Sequence, residues 1–199
     1  MDKLMRYPKL VSGHLELRIM TASDEPELLA FYNRIPVGER QLFNEDVTRA
    51  SVIRSWIRNA DFDRVLPIVA FEGRRIVANV TLHLNRRSWS RHVAKIRMTL
   101  APEVRGRGIG SALVKELIDL APSLNVAILQ GEILDAEVEG RQFLDKVGFQ
   151  CIATLPQHAI DLSGRVHDLL IYAYTVTPPE KLAPEALLSE ADADVGGAG

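Results

Sequence analysis

Leu100, Ala101, Pro102, Glu103, Val104, Arg105, Gly106, Arg107, Gly108, Ile109 and Gly110 join an apolar strand to an amphipathic helix through a cationic, glycine-rich turn. Upstream, Val93, Ala94, Ile96, Met98 and Leu100 form a half-alternating apolar run that reads as a strand. Downstream, Ile109, Ala112, Leu113, Leu117 and Leu120 recur at helical spacing until Pro122 stops the pattern. A helix N-terminus presents unpaired N–H groups and a partial positive charge, and glycines admit a diphosphate without a Cβ in its way. The turn therefore predicts a phosphorylated ligand.

Spacing narrows which ligand. A Walker loop needs a Gly-Lys-Ser/Thr ending, which is absent, and a dinucleotide fingerprint needs its third glycine where Ser111 stands. What matches is Arg/Gln-x-x-Gly-x-Gly/Ala, carried by Arg105, Gly108 and Gly110 with a strand before it and a helix after it. In these residues the chain resembles the GNAT superfamily of acyl-CoA-dependent N-acetyltransferases, which hold the coenzyme A pyrophosphate on this turn. Further on, Val126 to Leu129 read as a buried strand and Phe143, Leu144 and Val147 share one helix face, with Gly148 as a C-terminal cap and Phe149 opening the next strand. GNAT proteins typically read Asn-x-x-Ala-x-x-Phe-Tyr-x-x-x-Gly-Phe here, against Glu137, Gly140, Phe143, Leu144, Gly148 and Phe149 in this chain. The resemblance spans nearly all of residues 15 to 176.

Two departures bear on chemistry. The family's usual tyrosine, thought to protonate the departing thiolate, is Leu144, which cannot do so. The usual asparagine, which commonly hydrogen-bonds the pantetheine arm, is Glu137, whose carboxylate accepts but does not donate unless protonated.

Composition bounds the remaining possibilities. The 199 residues, 47% hydrophobic and 25% charged, suit one soluble domain, and a formal net charge of -2 disfavours nucleic acid as the main partner. No apolar stretch approaches the ~20 residues of a membrane span, and Met1 to Gly13 lacks the apolar centre of a signal peptide, so the expectation is a cytoplasmic protein. The single cysteine, Cys151, forbids an intrachain disulfide and is expected to be buried and inert. His14, His83, His92, His158 and His167 show no metal-ligand spacing, and no metal is expected.

Along the chain, Leu15, Leu17 and Ile19 alternate as a first strand, Thr21 or Ser23 caps a helix, and a second helix begins near Thr48 after a loop from Pro36 to Asp46. Apolar runs at 65 to 71 and 76 to 84 form a hairpin about Gly73, and Phe149 to Leu155 with Val166 to Val176 form another through Ser163 and Gly164. This order gives an α/β (α+β) class. The resemblance implies the GNAT fold, a mixed, mostly antiparallel sheet of about seven strands flanked by about four helices. Residues 1–177 are read as this domain and 178–199, rich in Pro, Ala, Glu, Asp and Gly, as a mobile tail.

The resemblance places acetyl-CoA against Met98, Thr99, Leu100, Arg105, Gly106, Arg107, Gly108, Ile109, Gly110, Ser111, Glu137, Phe143 and Leu144, with a backbone N–H on the strand ending at Leu100 polarising the thioester. Proton acceptors for an amine substrate are Glu132, near the end of the central strand, or His83 on the adjacent one. Glu132, Asp161 and Asp168 near the acceptor side favour a cationic amine. Residues 24–33 and 43–56 show a loose similarity to bacterial protein-lysine acetyltransferases. The expectation is transfer to a primary amine, of a small molecule or a protein lysine. The alternative is an acyl-CoA-binding sensor with little transfer activity, and a homodimer is left open.

Overall fold

The computed structural model describes residues 9–11, 15–58, 61–85, 89–178 and 181. The elements are β1 (Lys9–Val11), β2 (Leu15–Ile19), α1 (Glu25–Arg34), α2 (Val37–Arg40), α3 (Ala50–Arg58), β3 (Val65–Glu72), β4 (Arg75–Leu84), β5 (Val93–Leu100), α4 (Ile109–Leu120), β6 (Ile128–Leu134), α5 (Val138–Lys146), β7 (Gln150–Ile160) and β8 (Val166–Thr175). All eight strands form one sheet in the order β1-β2-β3-β4-β5-β6-β8-β7. Every pairing is antiparallel except β5 with β6, which is parallel.

That single parallel pair follows from connectivity: β5 and β6 are joined by a crossover through α4, whereas the hairpins on either side need only short turns. β3 and β4 are buried on both faces for most of their length, whereas β5 alternates, with Lys95 and Arg97 exposed. In β4, Ile76 to Val80 are all buried, so the apolar run there is nearly continuous. α1 contributes Leu28, Phe31 and Tyr32 to the core, and α4 contributes Ile109, Leu113, Val114, Leu117 and Leu120 at helical spacing. Each such fully buried leucine is worth about 1.5–3 kcal/mol of apolar burial.

Three local expectations change. The segment from Pro36 to Asp46 is not all loop, because Val37–Arg40 closes a helical turn, with the Arg40 N–H donating to Pro36 O at 3.0 Å. Thr21 caps a 3-10 turn over Ala22–Asp24 that precedes α1, its Oγ1 donating to the Asp24 carboxylate at 3.0 Å. Cys151 is exposed, not buried: β7 is the last strand of the sheet, and nearly all of its residues face solvent on both sides. Of the expected tail, only Pro178 and Lys181 lie within the described residues. No described helix is long and apolar enough to cross a membrane. Among the described residues no group of His, Cys, Asp or Glu comes together that could hold a metal ion.

The β7–β8 turn is held by a bridging imidazole. His167 lies between Asp135, 2.9 Å from Nδ1, and Asp161, 3.0 Å from Nε2. Hydrogen bonds to Asp161 and then Asp135 raise the His167 pKa above its ordinary 6.5. A group whose pKa is raised by folding stabilises the native state fully below its unfolded value, and that contribution is lost as pH climbs through the raised one. The melting temperature is therefore expected to fall as pH rises from 6 through the range just above His167's ordinary pKa, and His167→Asn should flatten this slope. An identical slope in the variant overturns the assignment.

Candidate active site

β5 and β6 pair only from Val93 opposite Ile128 to Ile96 opposite Gly131. Beyond that point β5 stays paired with β4 to Leu100, and β6 stays paired with β8 to Leu134. The two central strands therefore part, and the sheet opens between Arg97–Leu100 and Glu132–Leu134. The Ala101 N–H donates to Val77 O on β4 at 2.9 Å. In an antiparallel ladder the inter-strand groups alternate sides along the strand, so Met98 and Leu100 direct their N–H groups away from β4, into the opening.

At the end of β5 the chain enters the glycine turn. Gly106 and Gly108 are left-handed, with φ of 73° and 79°, and a Cβ on either would meet nothing within 4 Å. Ile109, Gly110 and Ser111 precede the first helical hydrogen bond of α4, from the Ala112 N–H to Gly108 O at 3.0 Å. Open space thus lies against a run of helix-start N–H groups, which fits a pyrophosphate. Gly110 has a different role. Its Cβ would stand 3.0 Å from both Leu100 and Phe143, so its small size lets α4 close onto β5 and α5.

The turn's arginines are committed to protein. Arg105 forks onto Glu39 of α2, donating from Nη1 at 2.8 Å and from Nη2 at 2.6 Å, and Nη2 also reaches Leu100 O at 3.1 Å. Arg107 donates to Glu72 of β3 at 2.6 and 3.3 Å. Arg105 thus fixes the backbone of the cradle, and its charge is already matched by a carboxylate.

A cavity of about 590 Å³ runs through the strand opening. On one side it is lined by Gly131, Glu137, Gly140, Phe143 and Leu144, where the Leu144 side chain would lie 3.6 Å from a Cβ at Gly131. Burial, and then the nearby Glu39 carboxylate, push the Glu137 carboxyl above its usual range, while its Oε1 accepts from the Leu134 N–H at 3.0 Å. On the other side stand Asn79, Thr81 and His83 of β4 beside Thr99 and Arg97 of β5, under Tyr32, Phe43 and Trp56. Tyr32 packs edge-on against both other rings, and its buried hydroxyl donates to Asn79 Oδ1 at 3.2 Å. His83 Nε2 lies 3.2 Å from Thr81 Oγ1. Burial, and then the Arg97 and Lys95 charges, hold the His83 pKa below its ordinary value, so the ring is neutral at pH 7. Glu132 lines the same cavity but is ion-paired with Lys95.

The acetyltransferase (GNAT) family matches residues 26–149, from α1 through the cradle to the end of α5. The chain belongs to the GNAT acetyltransferase family. Solved structures share its GNAT fold. A microcin self-immunity acetyltransferase in complex with acetyl-CoA and AMP is 17% identical, with 88% of this chain and 99% of that one covered and a TM-score of 0.74. The ribosomal L7/L12 α-N-protein acetyltransferase RimL in complex with coenzyme A is 17% identical, with 83% and 96% covered and a TM-score of 0.72. A ribosomal-protein-alanine N-acetyltransferase from Brucella melitensis is 27% identical, with 80% and 98% covered and a TM-score of 0.66. No curated protein sequence matches at a significant level.

Within this GNAT domain the expected site residues separate into groups. Met98, Thr99, Glu132, Glu137, Phe143, Leu144 and His83 meet at the cavity. Leu100 and Ile109 instead pack as core and offer the opening their backbone only. Asp161 and Asp168 do not line the cavity. Asp161 accepts from Ser163, His167 and Arg165 within its own turn, and Asp168 accepts from the Gln157 N–H at 2.9 Å, so the acidic acceptor face is not formed. Sequence reasoning missed Tyr32, Asn79 and Arg97. A signal for the last was present: Lys95, Arg97 and Thr99 fall on alternate positions of a strand at the middle of the sheet, a polar row that leaves one face of a central strand open.

Proposed function

We propose that this protein transfers the acetyl group of acetyl-CoA to a primary amine, with His83 as the proton acceptor. The observation that carries the reading is the cavity running through the opened sheet, with Met98 of β5 and a neutral histidine of β4 among its lining residues and the glycine turn following the end of β5. Acetyl-CoA supplies the activated thioester. The cradle N–H groups take its pyrophosphate, and the Met98 N–H stands where it can donate to the thioester oxygen as negative charge develops there. The uncharged amine attacks the carbonyl carbon, the carbon–sulfur bond breaks, and the amine's proton passes to His83, directly or through one water. Leu144 provides no acid, so the thiolate, whose parent thiol has a pKa near ~8.5 by analogy with cysteine, takes its proton from solvent. His83 is preferred to Glu132 because that carboxylate is already engaged in an ion pair with Lys95.

A second reading, an acyl-CoA sensor with little transfer activity, is favoured by Leu144 standing at the family's tyrosine position. Free-thiol release with amines present separates the two. Acetyl-CoA is expected to raise the melting temperature, since a ligand at a hundredfold excess over its Kd stabilises the native state by about 2.7 kcal/mol. Thiol release should then depend on added amine. Binding without amine-dependent release supports the sensor, and no binding at millimolar acetyl-CoA removes both readings.

A further inference from the structure

We propose that the acceptor is a small amine that also carries an anionic oxygen group, and that Arg97 is the residue that recognises it. The inference rests on the acetyl-transfer reading above and names its substrate class. Arg97 lines the acceptor side of the cavity on β5, directly opposite Thr81 and on the same face as Thr99. It stands one residue before Met98, whose N–H enters the strand opening. The Arg97 backbone is thus ~3.3 Å along the strand from that of Met98, and its guanidinium stands on the cavity wall beside the strand opening.

What sets Arg97 apart is its partner. Lys95 is paired with Glu132, Arg105 with Glu39 and Arg107 with Glu72. Among the described residues no carboxylate lies within ion-pair distance of Arg97. With its carboxamide oxygen turned inward, Asn44 accepts from Nη1 at 3.0 Å and from Nη2 at 2.7 Å. A neutral amide orients the guanidinium without cancelling its charge. Arginine's planar fork matches carboxylate and phosphorus oxyanions, and a charge-assisted fork is among the stronger polar contacts.

The surroundings agree. Glu45, the other carboxylate on this wall, accepts from Trp56 Nε1 at 2.7 Å, so it is turned to the aromatic lid. Leu42, Phe43, Val47 and Trp56 make the rest of the wall apolar. A protein lysine would bring a cationic chain past Arg97 and Lys95, whereas an amino-acid-like acceptor brings an anion to Arg97 and an apolar side chain to the wall. A carboxylate and a phosphonate share the recognising chemistry.

The test pairs each acceptor with a partner lacking the anion: phenylalanine with phenethylamine, leucine with isoamylamine, and the α-aminophosphonate analogue of leucine as the phosphorus arm. For wild type, thiol release should favour the acid over its matched amine by at least tenfold in kcat/KM. Arg97→Gln should erase that preference mainly through KM, and Arg97→Lys should keep part of it. Equal use of each pair by wild type, or equal loss on both members in Arg97→Gln, overturns the proposal. Binding is read separately, without turnover. N-acetyl-leucine, and not N-isoamylacetamide, should raise the melting temperature of the coenzyme A complex, and Arg97→Gln should abolish the shift. Arg97-dependent binding of the acid without thiol release from any amine sinks the acetyl-transfer reading and leaves the recognition intact. Absence of any shift by the acid in a protein that binds coenzyme A sinks the recognition.

Discussion

His83→Gln is expected to lower kcat for amine acetylation by about 10²–10⁴-fold, the usual contribution of a positioned general base, while leaving acetyl-CoA affinity unchanged. The glutamine keeps a polar group beside Thr81 but cannot take a proton. In the wild type the base works only as neutral imidazole, so the rate should rise with pH through the His83 pKa and then level off. Because burial and the Arg97 and Lys95 charges lower that pKa, the limb lies below the ordinary 6.5 and the plateau is reached by neutral pH. Glu132 acts on His83 in the opposite sense, its charge favouring imidazolium. Glu132→Gln should therefore shift the limb to lower pH while sparing most of the plateau rate. Stopped-assay pH profiles of thiol release decide the matter: full turnover by His83→Gln, or loss of the plateau in Glu132→Gln, transfers the role to the carboxylate.

Valine at Gly108 and valine at Gly110 should fail in different ways. Gly108 has a φ of 79° at the N-cap of α4. A β-branched residue there carries about 1–3 kcal/mol of backbone strain and puts methyl groups where the pyrophosphate approaches. Acetyl-CoA affinity should drop by more than tenfold in a protein that still folds, measured by titration calorimetry. Gly110 has ordinary helical backbone, and what a side chain meets there is Leu100 and Phe143 at 3.0 Å. Gly110→Val should overpack that junction, costing about 1–3 kcal/mol of stability, with binding lost only as far as the helix is displaced. Normal binding by folded Gly108→Val refutes the cradle. Weakened binding by a Gly110→Val protein of unchanged stability refutes the division of labour.

The cradle and its flanking elements were legible in the sequence because their signals are local: strand alternation, two glycines that need positive φ, and a helical repeat closed by a proline. The parting of β5 from β6 was not, since each strand keeps a normal apolar pattern and only long-range pairing shows where the ladder stops. Cys151 misled for a related reason. Its neighbours Phe149, Ile152 and Leu155 look like a core strand, but burial depends on what covers a strand, and the end of the sheet leaves both faces of β7 bare. Chain position alone suggests Asp161 and Asp168 for the acceptor side, whereas local hydrogen bonds consume them. Arg105 matched the motif, yet its bond to Glu39 joins residues 66 positions apart, beyond the reach of spacing rules.

That last bond joins the two halves of the site. Glu39 belongs to the helical turn that leads directly into Leu42, Phe43, Asn44 and Glu45, which wall one side of the cavity, while Arg105 anchors the glycine turn after β5. A single fork therefore ties the segment that walls one side of the cavity to the glycine turn at the end of β5. Linkage makes such a tie reciprocal: whatever factor cofactor binding applies to acceptor affinity through it, acceptor binding returns to cofactor affinity unchanged.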